Sequence, residues 1–199
     1  MQYKRNQIED AISTLVEPNA RKPSAKLRTR IKRLFETDRA SGRLRRSADP
    51  TRLQYAFFSD DPPGRGVEVQ FSPYEAFALL TAMRLMGHGW NQNIAVSIMR
   101  RARAELEVSH ARILELRRQK KTTELNFKNS PFLVIITTVG IDGTEEPFVC
   151  SVRQGQQKAA ALTWEEPDCG FSMFELASHA QNLATALATT EPRHRGQAG

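Results

Sequence analysis

Apolar residues recur along this chain first with a helical period and later with a strand-like one. Ile8, Ala11, Ile12 and Leu15 fall at i, i+3, i+4 and i+7, which predicts a short amphipathic helix over about residues 5–16, closed by Pro18 and Asn19. Ser24, just after Pro23, is placed to cap a second helix, on which Leu27, Ile31, Leu34 and Phe35 draw an apolar stripe to about residue 38. Residues 39–52 have no period and little apolar content and contain Gly42 and Pro50, so they read as a loop. A hairpin is predicted next. Leu53–Phe58 is dense in aromatic and apolar residues, residues 60–66 are turn chemistry, and Val67, Val69 and Phe71 alternate with Glu68 and Gln70.

The sharpest local signal is Ser72-Pro73-Tyr74-Glu75, with Ser at the N-cap, Pro at the first helical position and Glu at the third. The helix it starts carries a broad apolar face through Met86 and stops at Gly87-His88-Gly89. Asn91 caps the next, predicted to run unbroken from about Asn91 to Lys120, since neither Gly nor Pro interrupts it. Its Ala95, Met99, Ala102, Leu106, Ser109, Ile113 and Leu116 alternate steps of four and three, a seam suited either to a two-helix dimer contact or to packing on the chain's own core. Beyond Lys121 the pattern turns to strands at Pro131–Val139, Pro147–Arg153 and Ala159–Trp164, with a turn at Ile141–Thr144 and a last helix over about Ser172–Leu187. The fold class expected is α+β. It divides into a head over 1–90, a long helix over 91–121, a small sheet-plus-helix module over 122–190 and a disordered tail over 191–199.

Charge changes what the second helix can be. Residues 1–50 hold 13 Lys/Arg against 6 Asp/Glu, an excess equal to the net charge of +7 for all 199 residues. A neutral body with a basic head suits a polyanion docking at the head, because clustered cations displace counterions from phosphates. Off the apolar stripe the second helix carries Lys26, Arg28, Thr29, Arg30, Lys32 and Arg33. Five cations at helical spacing repel one another, so this is either a solvated basic face or a surface that an anion covers. An α-helix fits the DNA major groove, where long cationic side chains reach phosphates and guanine edges. Arg43, Arg45, Arg46 and Arg52 in the loop either track a backbone or belong to a solvated linker, and Arg65 projects at the hairpin tip beside Asp60 and Asp61, which oppose phosphate.

Other chemistry is sparse. Cys150 and Cys169 make no metal spacing and no disulfide framework, and His88, His110, His179 and His194 lie far apart, so neither a metal nor a cofactor is expected. No phosphate loop or nucleophile elbow is present, and an enzyme is not expected. The chain opens on polar residues, and no apolar stretch nears the ~20 residues that span a bilayer, so a cytoplasmic location without membrane association is expected.

The order helix, basic helix, hairpin with an Arg at its tip, capped helix, Gly turn and long helix resembles the MerR-type winged-helix regulators. The correspondence spans roughly the first 120 residues. It rests on Lys26–Arg39 for the recognition helix, Leu53–Phe71 for the wing, and Ser72–Phe77 with Leu79–Asn93, including Arg84-Leu85-Met86-Gly87-His88-Gly89-Trp90, for the step that follows. The resemblance implies a winged helix-turn-helix head leading into a dimerising helix. It also implies a bacterial, nucleoid-associated, homodimeric regulator of transcription that binds specific sites on double-stranded DNA. In that reading Lys26, Arg28, Arg30, Lys32 and Arg33 position the helix, Thr29 and one or two arginines read bases, and Arg65, Arg45 and Arg46 grip phosphates. A different reading is an adaptor or antiactivator whose basic head binds an acidic protein. From Pro131 on, 4 Lys/Arg face 8 Asp/Glu, so the C-terminal module is expected to serve as a dimerisation platform, an effector pocket or a protein-binding surface.

Overall fold

Both predicted N-terminal helices form within a residue or two of their expected limits in the computed structural model, which describes residues 2–44, 46–62, 68–126, 128–137, 148–158 and 170–192. A two-residue strand β1 (Tyr3–Lys4) leads into α1 (Arg5–Val16), followed by α2 (Ala25–Ala40). Ser24 caps α2 as its sequence position implies, its Oγ accepting from the Leu27 amide at 3.0 Å. After a 3₁₀ turn at Pro50–Arg52 come β2 (Gln70–Phe71), α3 (Pro73–Gly87), α4 (Gln92–Arg101), α5 (Arg103–Arg118) and a second 3₁₀ turn at Thr122–Glu124. Strands β3 (Pro131–Thr137), β4 (Val149–Gln154) and β5 (Gly170–Glu175) precede α6 (Ala177–Ala188). The class is α+β. The chain divides into two compact units, Met1–Arg101 with Asn182–Gly199, and Ala102–Gln181.

In the first unit α3 is the central element. It is apolar nearly all round and buries Phe77, Leu79, Leu80 and Leu85 completely, each worth ~1.5–3 kcal/mol of transfer free energy. Its start is the capping box: Ser72 Oγ accepts from the Glu75 amide at 3.2 Å while Glu75 accepts from the Ser72 amide at 2.6 Å. Glu75 is itself buried, and its other oxygen accepts from the Ser59 hydroxyl at 2.8 Å, fastening the preceding loop to the helix. Around Phe35 the rings of Phe71 (5.1 Å), Phe58 (5.4 Å) and Phe57 (6.0 Å) form an aromatic cluster.

The predicted hairpin is not what forms. Leu53–Phe58 is irregular, and β2 pairs with the N-terminal β1, Tyr3 opposite Phe71 and Lys4 opposite Gln70, both antiparallel. The reason is that the amides a strand would need are already engaged: Ala56 and Phe57 donate to the Asp38 carboxylate at 3.0 and 2.9 Å. The expected turn around Arg65 lies outside the described residues.

The single long helix is also two helices, parted at Ala102. At that point the Arg100 carbonyl accepts from Gln54 Nε2 at 3.3 Å, and a side chain entering the ladder breaks a helix without Gly or Pro. The seam is buried within the single chain at Ala95, Met99, Ala102, Leu106, Ser109 and Ile113, so those positions serve its own packing and offer no dimer contact.

In the second unit β3 is the middle strand of an antiparallel sheet ordered β4-β3-β5, with Leu133 opposite Val152 on one side and Phe174 on the other. Helix α5 packs on β4, where Glu105 accepts from the Val152 amide. Gly155 ends β4 at φ +80°, and a Cβ there would lie 2.2 Å from the Lys128 carbonyl oxygen, so only glycine fits. Two expectations change here. Ser172–Glu175 is strand where helix was expected, because Phe174 and Ser172 alternate with Phe171 and Met173 in register with β3. The helix begins only at Ala177, where Glu175 accepts from the Ala177 and Ser178 amides at 2.8 and 2.9 Å. The strand expected at Ala159–Trp164, the turn at Ile141–Thr144 and the tail from Arg193 lie outside the described residues.

Candidate nucleic-acid interface

Helix α2 carries charge on two opposite sides, and the two sides are treated differently. Its buried stripe continues from Leu27, Ile31 and Leu34 to Asp38, which is 0% exposed. Asp38 Oδ1 meets Arg100 Nε at 2.6 Å. The same guanidinium donates to the carbonyls of Gly42 (2.7 Å), Thr51 (3.0 Å) and Asp38 itself. Five groups that would each be costly to bury alone thereby satisfy one another, and the network ties α2, α4 and the loop between residues 42 and 57 into one body. Gln92 adds a second tie, donating to Thr37 Oγ1 and to the Arg33 carbonyl.

On the other side Lys26, Arg28, Thr29, Arg30, Lys32 and Arg33 are all exposed. Helical geometry sets Lys26, Arg30 and Arg33 in one row, at i, i+4 and i+7, and Arg28 and Lys32 in another, at i and i+4. Lys32 pairs with Glu36 at 3.6 Å across an exposed surface, which adds little. Lys26, Arg28 and Arg33 have no ion-pair partner among the described residues. The Thr29 hydroxyl donates to the Ala25 carbonyl at 2.8 Å, leaving its oxygen outward as an acceptor.

The loop arginines divide. Arg46 is exposed, whereas Arg43 is occupied with Asp61 at 2.8 Å, an acid whose bond raises the guanidinium pKa further, and lies 5.8 Å from the Tyr55 ring. Arg39 lies over the Phe58 ring at 5.1 Å. Within the loop Asp49 holds Thr51, accepting from its amide at 2.9 Å and its hydroxyl at 2.7 Å, and these bonds lower the Asp49 carboxyl pKa. Arg45 and Arg65 lie outside the described residues.

Two features of the site were not anticipated. Asp38 and Arg100 carry the scaffold; the signal was an acid in register with the apolar stripe, four residues after Leu34. Arg84, in the last turn of α3, is the other, a part-buried cation that lines a cleft together with Lys26 and Arg30 of α2. Among the described residues no group of three or more His, Cys, Asp or Glu is placed to hold a metal, and no helix is long and apolar enough to cross a membrane. No family model and no curated protein matches this chain.

Proposed function

We propose that the protein is a sequence-specific DNA-binding regulator of transcription that lays α2 in a major groove in the manner of the MerR-like regulators. The observation that carries this reading is the exposed face of Lys26, Arg28, Thr29, Arg30, Lys32 and Arg33, borne on a helix whose opposite side is fixed by the buried Asp38–Arg100 pair. Two rows of cations on one helix suit the two phosphate backbones bounding a groove, and Thr29 lies between them. With its proton engaged by Ala25, Thr29 can only accept, which suits the amino groups of adenine N6 or cytosine N4. Arg46 extends the basic surface along the backbone, as a flanking phosphate contact. Binding as a homodimer requires a surface other than the Ala95–Ile113 seam, since those side chains are taken up by the chain itself.

The test is selection of bound duplexes from a pooled random library with the full chain, followed by affinity at several salt concentrations. Recovery of a defined motif, with log K falling at a slope of about −4 to −5 per head for five neutralised phosphates, supports the reading. Recovery of no motif and no salt-dependent duplex binding refutes it, and the same face would then be tested against acidic proteins.

A further inference from the structure

Helix α3 is apolar almost throughout, its charged residues being Glu75, engaged in the capping box, and, in the last turn, Arg84. It lines a cleft of about 390 Å³ between the end of α1, the start of α2 and the end of α3. Burial lowers the pKa of its guanidinium, and its buried Nε–H has no hydrogen-bond partner among the described residues. A part-buried cation with an unsatisfied donor is costly, and an anion is what would offset that cost. Lys26 and Arg30 line the same cleft from α2, adding positive charge. The wall also holds one acid, Glu17, which accepts from the Ser24 hydroxyl (2.6 Å) and amide (3.1 Å) and from Ser13 Oγ at 3.3 Å; these bonds and the nearby Arg30 charge lower its carboxyl pKa, so it stays anionic and the cleft has three cations against one carboxylate. Leu15, Leu27 and Met83 supply apolar wall.

We propose that this cleft binds a small organic anion, an oxyanion head on a short apolar body, with Arg84 as the recessed anchor and Lys26 and Arg30 beside it. The volume is that of a small-molecule site. Because Lys26 and Arg30 also belong to the basic face of α2, an occupied cleft draws both away from phosphates and weakens DNA binding. That consequence rests on the proposed function, whereas the binding itself does not.

Isothermal titration of the full chain at low ionic strength, with phenyl phosphate and inorganic phosphate as probes, reads the site directly. Phenyl phosphate should saturate one site per chain and bind about tenfold tighter than inorganic phosphate, because its ring reaches apolar wall. Arg84→Gln should weaken it by about tenfold or more through loss of a charge-assisted bond, with the melting temperature unchanged or raised. Gly87→Leu is the second variant: a Cβ at Gly87 meets nothing within 4 Å, so the side chain can narrow the cleft while every cation stays in place, and it should likewise weaken phenyl phosphate by about tenfold or more. Equal affinity for both probes, or phenyl phosphate binding unchanged in folded Arg84→Gln or Gly87→Leu, overturns the proposal. In a duplex-binding assay, saturating phenyl phosphate should raise the Kd of the wild type and leave that of Gly87→Leu unmoved. If the chain binds no DNA, this last arm falls away and the titration alone decides whether the cleft is a site.

Discussion

The two sides of α2 use their charged groups in opposite ways. On the inner side Asp38 and Arg100, 0% and 3% exposed, are enclosed by hydrogen bonds to one another, to two amides and to three carbonyls. On the outer side Lys26, Arg28 and Arg33 have no ion-pair partner among the described residues, and like charges stand four residues apart at Lys26–Arg30 and Arg28–Lys32, a repulsion of ~0.2–0.5 kcal/mol per pair. Charge that is satisfied internally is scaffold; charge left unsatisfied on a rigid surface is available to a ligand. One helix therefore has an inner side that stability measurements report and an outer side that binding measurements report.

The largest stability effect belongs to the inner side. Asp38→Ala or Arg100→Ala should each cost about 3–5 kcal/mol in chemical denaturation, since each leaves an uncompensated buried charge. The double variant Asp38→Leu with Arg100→Met should lose less than the sum of the two, and it should not recover fully because the Ala56 and Phe57 amides lose their acceptor. Full additivity would mean that the pair does not act as a unit.

Buried ionisable groups outside α2 sharpen the same contrast. Burial lowers the His110 pKa from 6.5 to about 4 in the folded chain, so the unfolded chain binds the proton more readily. The stability this gives is complete above about pH 6.5 and is lost as pH falls toward about 4, a change on the order of 3 kcal/mol that His110→Leu should flatten. Melting temperatures across that window measure it, and an equally steep profile in the variant would exclude His110 as the cause.

Smaller effects come from the helix ends. Ser72→Ala should cost ~1 kcal/mol by removing the capping box of α3. Separating residues 1–120 from the remainder should also lower stability, because the Thr190 carbonyl accepts from Gln7 Nε2 at 3.2 Å within the first unit. A fragment melting as high as the first unit of the full chain would show that the returning segment contributes nothing.

How much of this was legible depended on whether the determining contacts were local. Ser24 and Ser72 act on amides three residues away, so their helix starts could be read directly from the chain. The stripe on α2 was equally plain, as was the run of cations opposite it. Leu53–Phe58 has the composition of a strand, yet its amides are held by an acid 18 residues earlier, and no periodicity reports such a bond. The break at Ala102 likewise depends on Gln54, far away in sequence. Between residues 170 and 176 a short apolar run fits strand or helix equally well, and the register with β3 decides it. A single cation near a helix C-terminus, such as Arg84, has an ordinary explanation in the helix dipole, and only its burial sets it apart.

The outer face should move stability least and affinity most. Replacing Arg28, Arg30 and Arg33 together by Glu, and comparing duplex affinity at moderate salt with the melting temperature of the same protein, tests the central claim most directly. The expected result is a melting temperature within a few degrees of the wild type and loss of most duplex binding, with single alanine variants separating phosphate contacts, which reduce the salt slope by about one unit, from base contacts, which cost about 1–3 kcal/mol at one base pair. Unchanged duplex affinity in the folded triple variant would contradict it.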